Sequence, residues 1–266
     1  MYHIENVIFT KCQNEAFPYH LPFFNDTKLE FNTPITILVG ENGCGKSTFL
    51  DLLNEILHLY RIDMENEYQK DVKDIIKQAA KYIKVKNKLT IPKGFYFTAE
   101  DFTSYIYKLV KEKNYALNEI RRVDSEYQHK SDFTRELAAS PFNRTINELD
   151  NMYPRELLKS SHGEAYLTFF NSRVRSNELY LLDEPETPLS IQNQLTLIYI
   201  INEAVKNNCQ FIIATHSPIL MAIPNATIYD ISDNEIKRVE YNDIDAVNLL
   251  KQFLNQPDQF FKYLLS

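Results

Sequence analysis

Hydrophobic and polar positions along this chain fall into blocks of different texture. Ile35-Thr36-Ile37-Leu38-Val39 is a short, β-branched apolar run that reads as a buried strand. Leu179-Tyr180-Leu181-Leu182 and Gln210-Phe211-Ile212-Ile213-Ala214 are nearly continuous apolar runs, as expected for strands buried on both faces of a parallel sheet. Residues 189–206 between them are apolar at helical spacing. Residues 1–39 read as short strands around a loop rich in proline and aromatics, Phe17-Pro18-Tyr19-His20-Leu21-Pro22-Phe23-Phe24. Residues 49–85 read as helix, interrupted or not near Asp63, Lys93 to Thr98 as a strand end, and 101–158 as mostly helix with breaks at Pro141 and Pro154. Thr227 to Val239 reads as a hairpin turning at Ser232-Asp233-Asn234, followed by a helix rich in Leu and Phe. The order predicts one α/β domain over 1–266: a mostly parallel central sheet, an N-terminal antiparallel part, and a helical lobe inserted at about 50–165.

The connection after the first buried strand carries chemistry. Gly40-Glu41-Asn42-Gly43-Cys44-Gly45-Lys46-Ser47-Thr48 satisfies the P-loop spacing of Gly, four residues, then Gly-Lys-Ser/Thr. It lies between a strand and a helical pattern beginning at Phe49-Leu50. A glycine turn at a helix N-terminus presents converging backbone N–H groups and a positive helix end to phosphate. Three of the chain's five glycines sit there. A nucleoside triphosphate is therefore the expected ligand. Cys44 within the loop invites a redox reading, but the loop's variable positions accept many residue types.

Composition narrows the setting. At 266 residues and 44% apolar the chain can bury a full core. It has no 18-residue apolar run to span a membrane and no charged-then-apolar leader. Cys12, Cys44 and Cys209 are scattered and odd in number, which suits a reducing cytosol. A net charge of −7 argues against a general nucleic-acid coat.

A P-loop needs a carboxylate for Mg²⁺ and a group to orient the attacking water. Glu178-Leu179-Tyr180-Leu181-Leu182-Asp183-Glu184 ends an apolar strand in two acids. Asp183 is expected to hold Mg²⁺ with Ser47, and Glu184 to orient water or take its proton. Such a pair also serves as a turn or helix cap, and the P-loop tips the reading toward metal. Thr215-His216-Ser217 closes the next buried strand, so His216 should emerge at the same sheet edge, where ligands bind in open α/β sheets.

Taken together, the P-loop, the Asp-Glu-Pro strand end and Thr-His-Ser resemble the ABC-class ATPases, which include transporter subunits and SMC-like repair ATPases. The likeness runs from about residue 35 to the end, including Phe253-Leu254-Asn255-Gln256-Pro257, and is nearest to compact, free-standing bacterial ATPases. It implies a signature motif before the Asp-Glu pair. Ser160-Ser161-His162-Gly163-Glu164 stands there, 22 residues from Ser161 to Asp183, and departs from Leu-Ser-Gly-Gly-Gln by His for Gly and Glu for Gln. In that class two chains sandwich two ATP molecules, so Ser161 and Gly163 are implied to reach the γ-phosphate across a homodimer. Thr187-Pro188-Leu189-Ser190 takes the place of the loop joining the two sites. The family's Mg²⁺-sensing Gln should follow the strand near 95–98, and Glu100 is the nearest counterpart. Tyr19 or Phe17 are the candidates to stack on adenine.

Lys70, Lys73, Lys77, Lys81, Lys84 and Lys88 recur at steps of three or four, which would set them on one helical face. Between 70 and 93 eight lysines face two aspartates. Either a phosphate backbone or solvent meets such a face. The leading expectation is an ATPase acting as an ATP-dependent dimeric clamp or switch on nucleic acid or an effector protein, in DNA repair or phage defence. A transporter's nucleotide-binding subunit and a non-hydrolysing regulatory module are the alternatives. Only about 110 residues separate Lys46 from Ser161, without sustained heptads, so no long coiled-coil arm is expected.

Overall fold

The computed structural model describes residues 3–62, 67–88, 92–152, 162–232 and 235–264. The chain opens with Ile4–Phe9 (β1), a buried 3₁₀ turn at Pro22–Phe24, Lys28–Glu30 (β2) and Ile35–Val39 (β3). Lys46–Leu57 (α1), Tyr60–Arg61 (β4), Glu67–Ala79 (α2), a 3₁₀ turn at Ala80–Tyr82 and Ile83–Asn87 (β5) follow. Gly94–Thr98 (β6) leads into two long helices, Ala99–Glu126 (α3) and Asp132–Met152 (α4). Next come His162–Arg173 (α5), Leu179–Asp183 (β7), Ile191–Lys206 (α6), Gln210–Ala214 (β8) and Pro218–Met221 (α7). Thr227–Ser232 (β9) and Glu235–Val239 (β10) form the expected hairpin, before Asp245–Asn255 (α8) and Pro257–Leu264 (α9).

Seven strands form the central sheet in the order β10-β9-β3-β8-β7-β6-β4. All neighbours from β9 to β4 are parallel, and only β10 runs against its neighbour. The inner parallel strands β3, β8 and β7 are buried almost throughout because both faces are covered. Ile35, Ile37, Phe97, Tyr180, Leu182, Phe211 and Ile213 pack with α5 and α6 on one side. Leu38, Tyr96, Leu181, Ile212 and Ala214 pack with α1 and the N-terminal strands on the other. The second sheet, β2-β1-β5, is antiparallel and supplies Ile4, Val7, Phe9 and Leu29 to that second core. Truncating a fully buried strand residue such as Leu182 to alanine should cost about 2–5 kcal/mol.

Three expectations are corrected. The helical run over 49–85 is interrupted, as one alternative allowed, but strand enters it: α1 and α2 flank the short strand β4, and the run ends in β5. Ile83 is buried while Lys84 is exposed, and Val85 packs inward while Lys86 is exposed, a period of two that pairs with β1. The first part of the supposed helical lobe therefore returns strands to both sheets, and the described insertion is the α3–α4 pair. Pro141 does not break its helix, since it stands exposed inside α4, whose packing on α3 outweighs the lost backbone bond. Pro154 lies outside the described residues.

Candidate functional site

In a parallel sheet all C-terminal strand ends lie at one edge, and there β3, β8, β7 and β6 deliver the candidate residues. Past Val39 the loop turns through Gly40, Asn42, Gly43 and Cys44 to Gly45, which caps α1 at φ +102°. A side chain at Gly45 would meet Leu21 at 2.9 Å and Phe23 at 3.2 Å, so the aromatic N-terminal loop packs directly behind the P-loop. Only glycine answers both demands. Lys46 is buried and folds back over the loop, its Nζ donating to the carbonyls of Gly40 (2.9 Å) and Glu41 (3.0 Å) and lying 3.7 Å from Cys44 Sγ. Thr48 follows Ser47 in the first turn of α1.

Ser47 Oγ donates to Asp183 Oδ1 at 3.0 Å, joining α1 to the end of β7 across 136 residues of sequence. Burial pushes the Asp183 carboxyl up to about 7, against the Ser47 hydrogen bond, and the carboxylates of Asp51 and Glu184 push the same way. A carboxylate so poorly stabilised by the protein favours a cation beside it. Hydroxyl and carboxylate oxygens are also the hard donors Mg²⁺ takes. Among the described residues no three His, Cys, Asp or Glu side chains form a metal-binding group. A two-ligand arrangement in which phosphate completes the shell is the form such sites take for Mg²⁺.

Glu184 adopts φ +46°, a left-handed conformation costing a non-glycine residue about 1 kcal/mol. Two hydrogen bonds hold it there: its N–H donates to Ala214 O (2.9 Å), and its carbonyl accepts from Thr187 N–H (3.1 Å). His216, in the turn after β8, brings Nε2 to 3.7 Å from Glu184 Oε1. Both side chains are partly exposed, so carboxylate and imidazole share a wetted edge beside Asp183.

Glu100 is exposed in the first turn of α3, which Thr98 caps by accepting from Asp101 N–H at 3.0 Å. A cleft of about 1100 Å³ is lined by Ser47, Asp51, Arg61, Glu100, Asp183 and Glu184, and α2 adds Lys73 and Lys77 to its wall. Glu100 thus lies on the same cleft as the Ser47–Asp183 pair, although residues 95–98 themselves are buried.

The family is settled at this point by the chain's own match: a family model described as an AAA domain, AAA_23, fits residues 19–198. The chain belongs to the AAA_23 family. It is a P-loop ATPase. The molybdate import ATP-binding protein MolC of Haemophilus influenzae is 26% identical over 224 residues, 81% of this chain and 76% of that protein. Among solved structures, the Smc head domain of Pyrococcus furiosus bound to the C-terminal domain of ScpA is 14% identical, with 95% of this chain and 100% of that one covered and a TM-score of 0.46. The ADP conformation of MJ1267, an ATP-binding cassette of an ABC transporter, is 15% identical over 94% of this chain and 99% of that one, with a TM-score of 0.47.

Within this AAA_23 domain the remaining expectations fare differently. Ser161 lies outside the described residues, as does the side chain of Lys70. Gly163, in the first turn of α5, is buried within its own chain. A Cβ there would sit 2.9 Å from Pro188 O and 2.7 Å from Asn193 Nδ2, so the helix presses on the loop that follows β7. Tyr19 packs edge-on against Phe24 (5.3 Å) and Tyr82 (5.5 Å), which leaves Phe17, 43% exposed, as the outward aromatic of that loop. The lysine stripe is corrected: Lys73 and Lys77 lie on α2, Lys81 in a 3₁₀ turn, Lys84 on β5 and Lys88 beyond it, so no single helix carries them.

One polar cluster was not anticipated. Arg61 of β4 bridges Asp51 of α1 (2.8 Å) and Asp101 of α3 (2.7 Å) and lies 4.7 Å over the Tyr96 ring. It ties the P-loop helix to the helix carrying Glu100 beneath the cleft. Burial, with Asp51 and Asp183 nearby, keeps the Tyr96 hydroxyl protonated. A two-residue strand offers no periodic signal, and Arg61 pairs with acids ten and forty positions away in sequence.

Proposed function

We propose that this protein binds ATP with Mg²⁺ and hydrolyses it with Glu184 as the group that orients or deprotonates water. The observation that carries this reading is the Ser47–Asp183 hydrogen bond beside a Glu184–His216 pair 3.7 Å apart. The P-loop N–H groups and Lys46 would take the phosphates, Ser47 and Asp183 would hold the metal with Glu100 within its reach, and His216 would meet the γ-phosphate. A bound Mg²⁺ would supply charge neutralisation between phosphate oxygens. The protein residues hold position and move the proton.

Ser161 and Gly163 would complete the site of a second copy, so that ATP closes a homodimer and hydrolysis opens it. This clamp or switch would act in the cytoplasm on nucleic acid, through the lysines of 70–88, or on an effector protein, in DNA repair or phage defence. The support for that role is the resemblance of the P-loop, Asp183-Glu184-Pro185 and Thr215-His216-Ser217 motifs to those of SMC-like repair ATPases. The likeness to MolC favours a second reading, a transporter's ATP-binding subunit that docks on a membrane partner. No described helix is long and apolar enough to cross a membrane by itself.

Glu184→Gln tests the catalytic and dimeric parts together. Turnover should fall by at least about 100-fold, and the variant should accumulate as an ATP-bound dimer in light scattering. A monomer under saturating ATP and Mg²⁺ would refute the sandwich. Fractionation of the native protein then decides between a soluble complex and a membrane-bound transporter.

A further inference from the structure

The loops after β7 and β8 are joined by a side chain that the assigned machinery does not use. Glu186, two residues beyond Glu184, accepts the backbone N–H of His216 at 2.6 Å and that of Ser217 at 3.1 Å, both on Oε1. The other oxygen, Oε2, is buried without a hydrogen-bond partner among the described residues. A carboxylate is thus spent on two backbone donors that many loops satisfy with water or a main-chain carbonyl. Its effect is to fix the peptide from which the His216 imidazole projects. The same turn is secured separately at Ser217, whose Oγ donates to Gln194 Oε1 at 2.6 Å and accepts from the N–H groups of Ile219 and Leu220. The Ser217 N–H also has a second acceptor in Thr215 Oγ1 at 2.9 Å, so the His216 end leans on Glu186 the more.

We propose that Glu186 is a positioning residue for hydrolysis: it locks the backbone of His216 so that the imidazole and the Glu184 carboxylate are held to one another and to the γ-phosphate. Glu184 and Glu186 lie in one short loop, and Glu184 N–H is itself bonded to Ala214 O, two residues before His216. Any shift of the β7 loop therefore carries base and histidine together. The loop also abuts Gly163 through Pro188, which gives the signature helix a mechanical route to the same pair. This inference rests on the reading of His216 as a phosphate contact.

A double-mutant cycle separates the two ideas. Glu186→Ala should lower kcat about tenfold, with the KM and Kd for ATP changed less than twofold, since the P-loop is untouched. Combined with His216→Ala it should lower kcat no further than His216→Ala alone. Glu186→Gln keeps a carbonyl acceptor and should restore kcat to within about threefold of wild type. If the two single losses multiply, or if Glu186→Gln is as impaired as Glu186→Ala, Glu186 does not act through the His216 backbone and the proposal is overturned. An unchanged rate in His216→Ala would instead overturn the reading on which it rests. Should the alanine variant not fold, Glu186→Asp, whose shorter arm cannot reach both N–H groups, takes its place in the cycle.

Discussion

Two sets of charged or titratable residues follow a pattern in this chain, and they behave in opposite ways. At the C-terminal edge of the central sheet, Asp183, Glu184 and His216 follow apolar runs and converge on the P-loop. Over residues 67–88 the lysines follow a three-to-four spacing, yet they are divided among a helix, a 3₁₀ turn and a strand. The difference lies in what the pattern requires of the backbone. Parallel strands of equal length put their ends at one edge whatever the intervening chain does. A helical face exists only while the helix continues, and α2 stops at Ala79.

The sheet edge should break most severely. Lys46→Ala removes an ammonium that the loop holds through two carbonyls. It should weaken ATP binding or turnover by at least about 100-fold, measured by calorimetry and phosphate release; unchanged hydrolysis would mean that phosphate sits elsewhere. This part of the site was legible because each element is local: a strand, a spacing of glycines, and an acid at the end of an apolar run. The pairing of Glu186 with the His216 backbone was not legible, since it depends on a side chain folding across 30 residues of sequence. The Arg61 bridge was hidden for the same reason.

Asp183 gives the next effect, through pH. Its carboxyl rises from 3.8 to about 7 on folding. The raised value means that the folded state binds the proton more tightly than the unfolded chain. Stability from this group is complete below about pH 4 and is lost as pH climbs through 7. Without nucleotide or metal, unfolding free energy should therefore fall by up to about 1 kcal/mol per pH unit across that window. Asp183→Asn should flatten the slope in denaturant titrations, and a slope that survives the substitution would assign it to other groups.

Gly163→Ala probes how closely the signature helix meets the β7 loop. The added methyl must displace the carbonyl of Pro188, and overpacking of this kind costs about 1–3 kcal/mol, partly offset by about 1 kcal/mol of helix propensity. A fall in the unfolding midpoint of roughly 2–4 °C is expected. A rise would show that the helix can back away from the loop without loss.

The smallest effect is the most informative about the lysines. Lys73 and Lys77 lie on the wall of the cleft that holds Asp183, whereas Lys84 and Lys86 project from β5 in the antiparallel sheet. Lys86 is already paired with Glu5 at 2.7 Å, and the exposed Lys84 lies opposite Ile8 of β1. Reversing Lys73 and Lys77 to glutamate adds negative charge beside a site that must accept polyphosphate, so the KM for ATP should rise severalfold and more steeply at low salt. The same change at Lys84 and Lys86 should leave KM within twofold. If both pairs weakened nucleotide use equally, the positive field would be acting as one patch, and the regular spacing would have functional meaning despite the broken helix. If they differ as expected, the lysines form two sets with separate surroundings, and any nucleic-acid contact must be sought on each set alone.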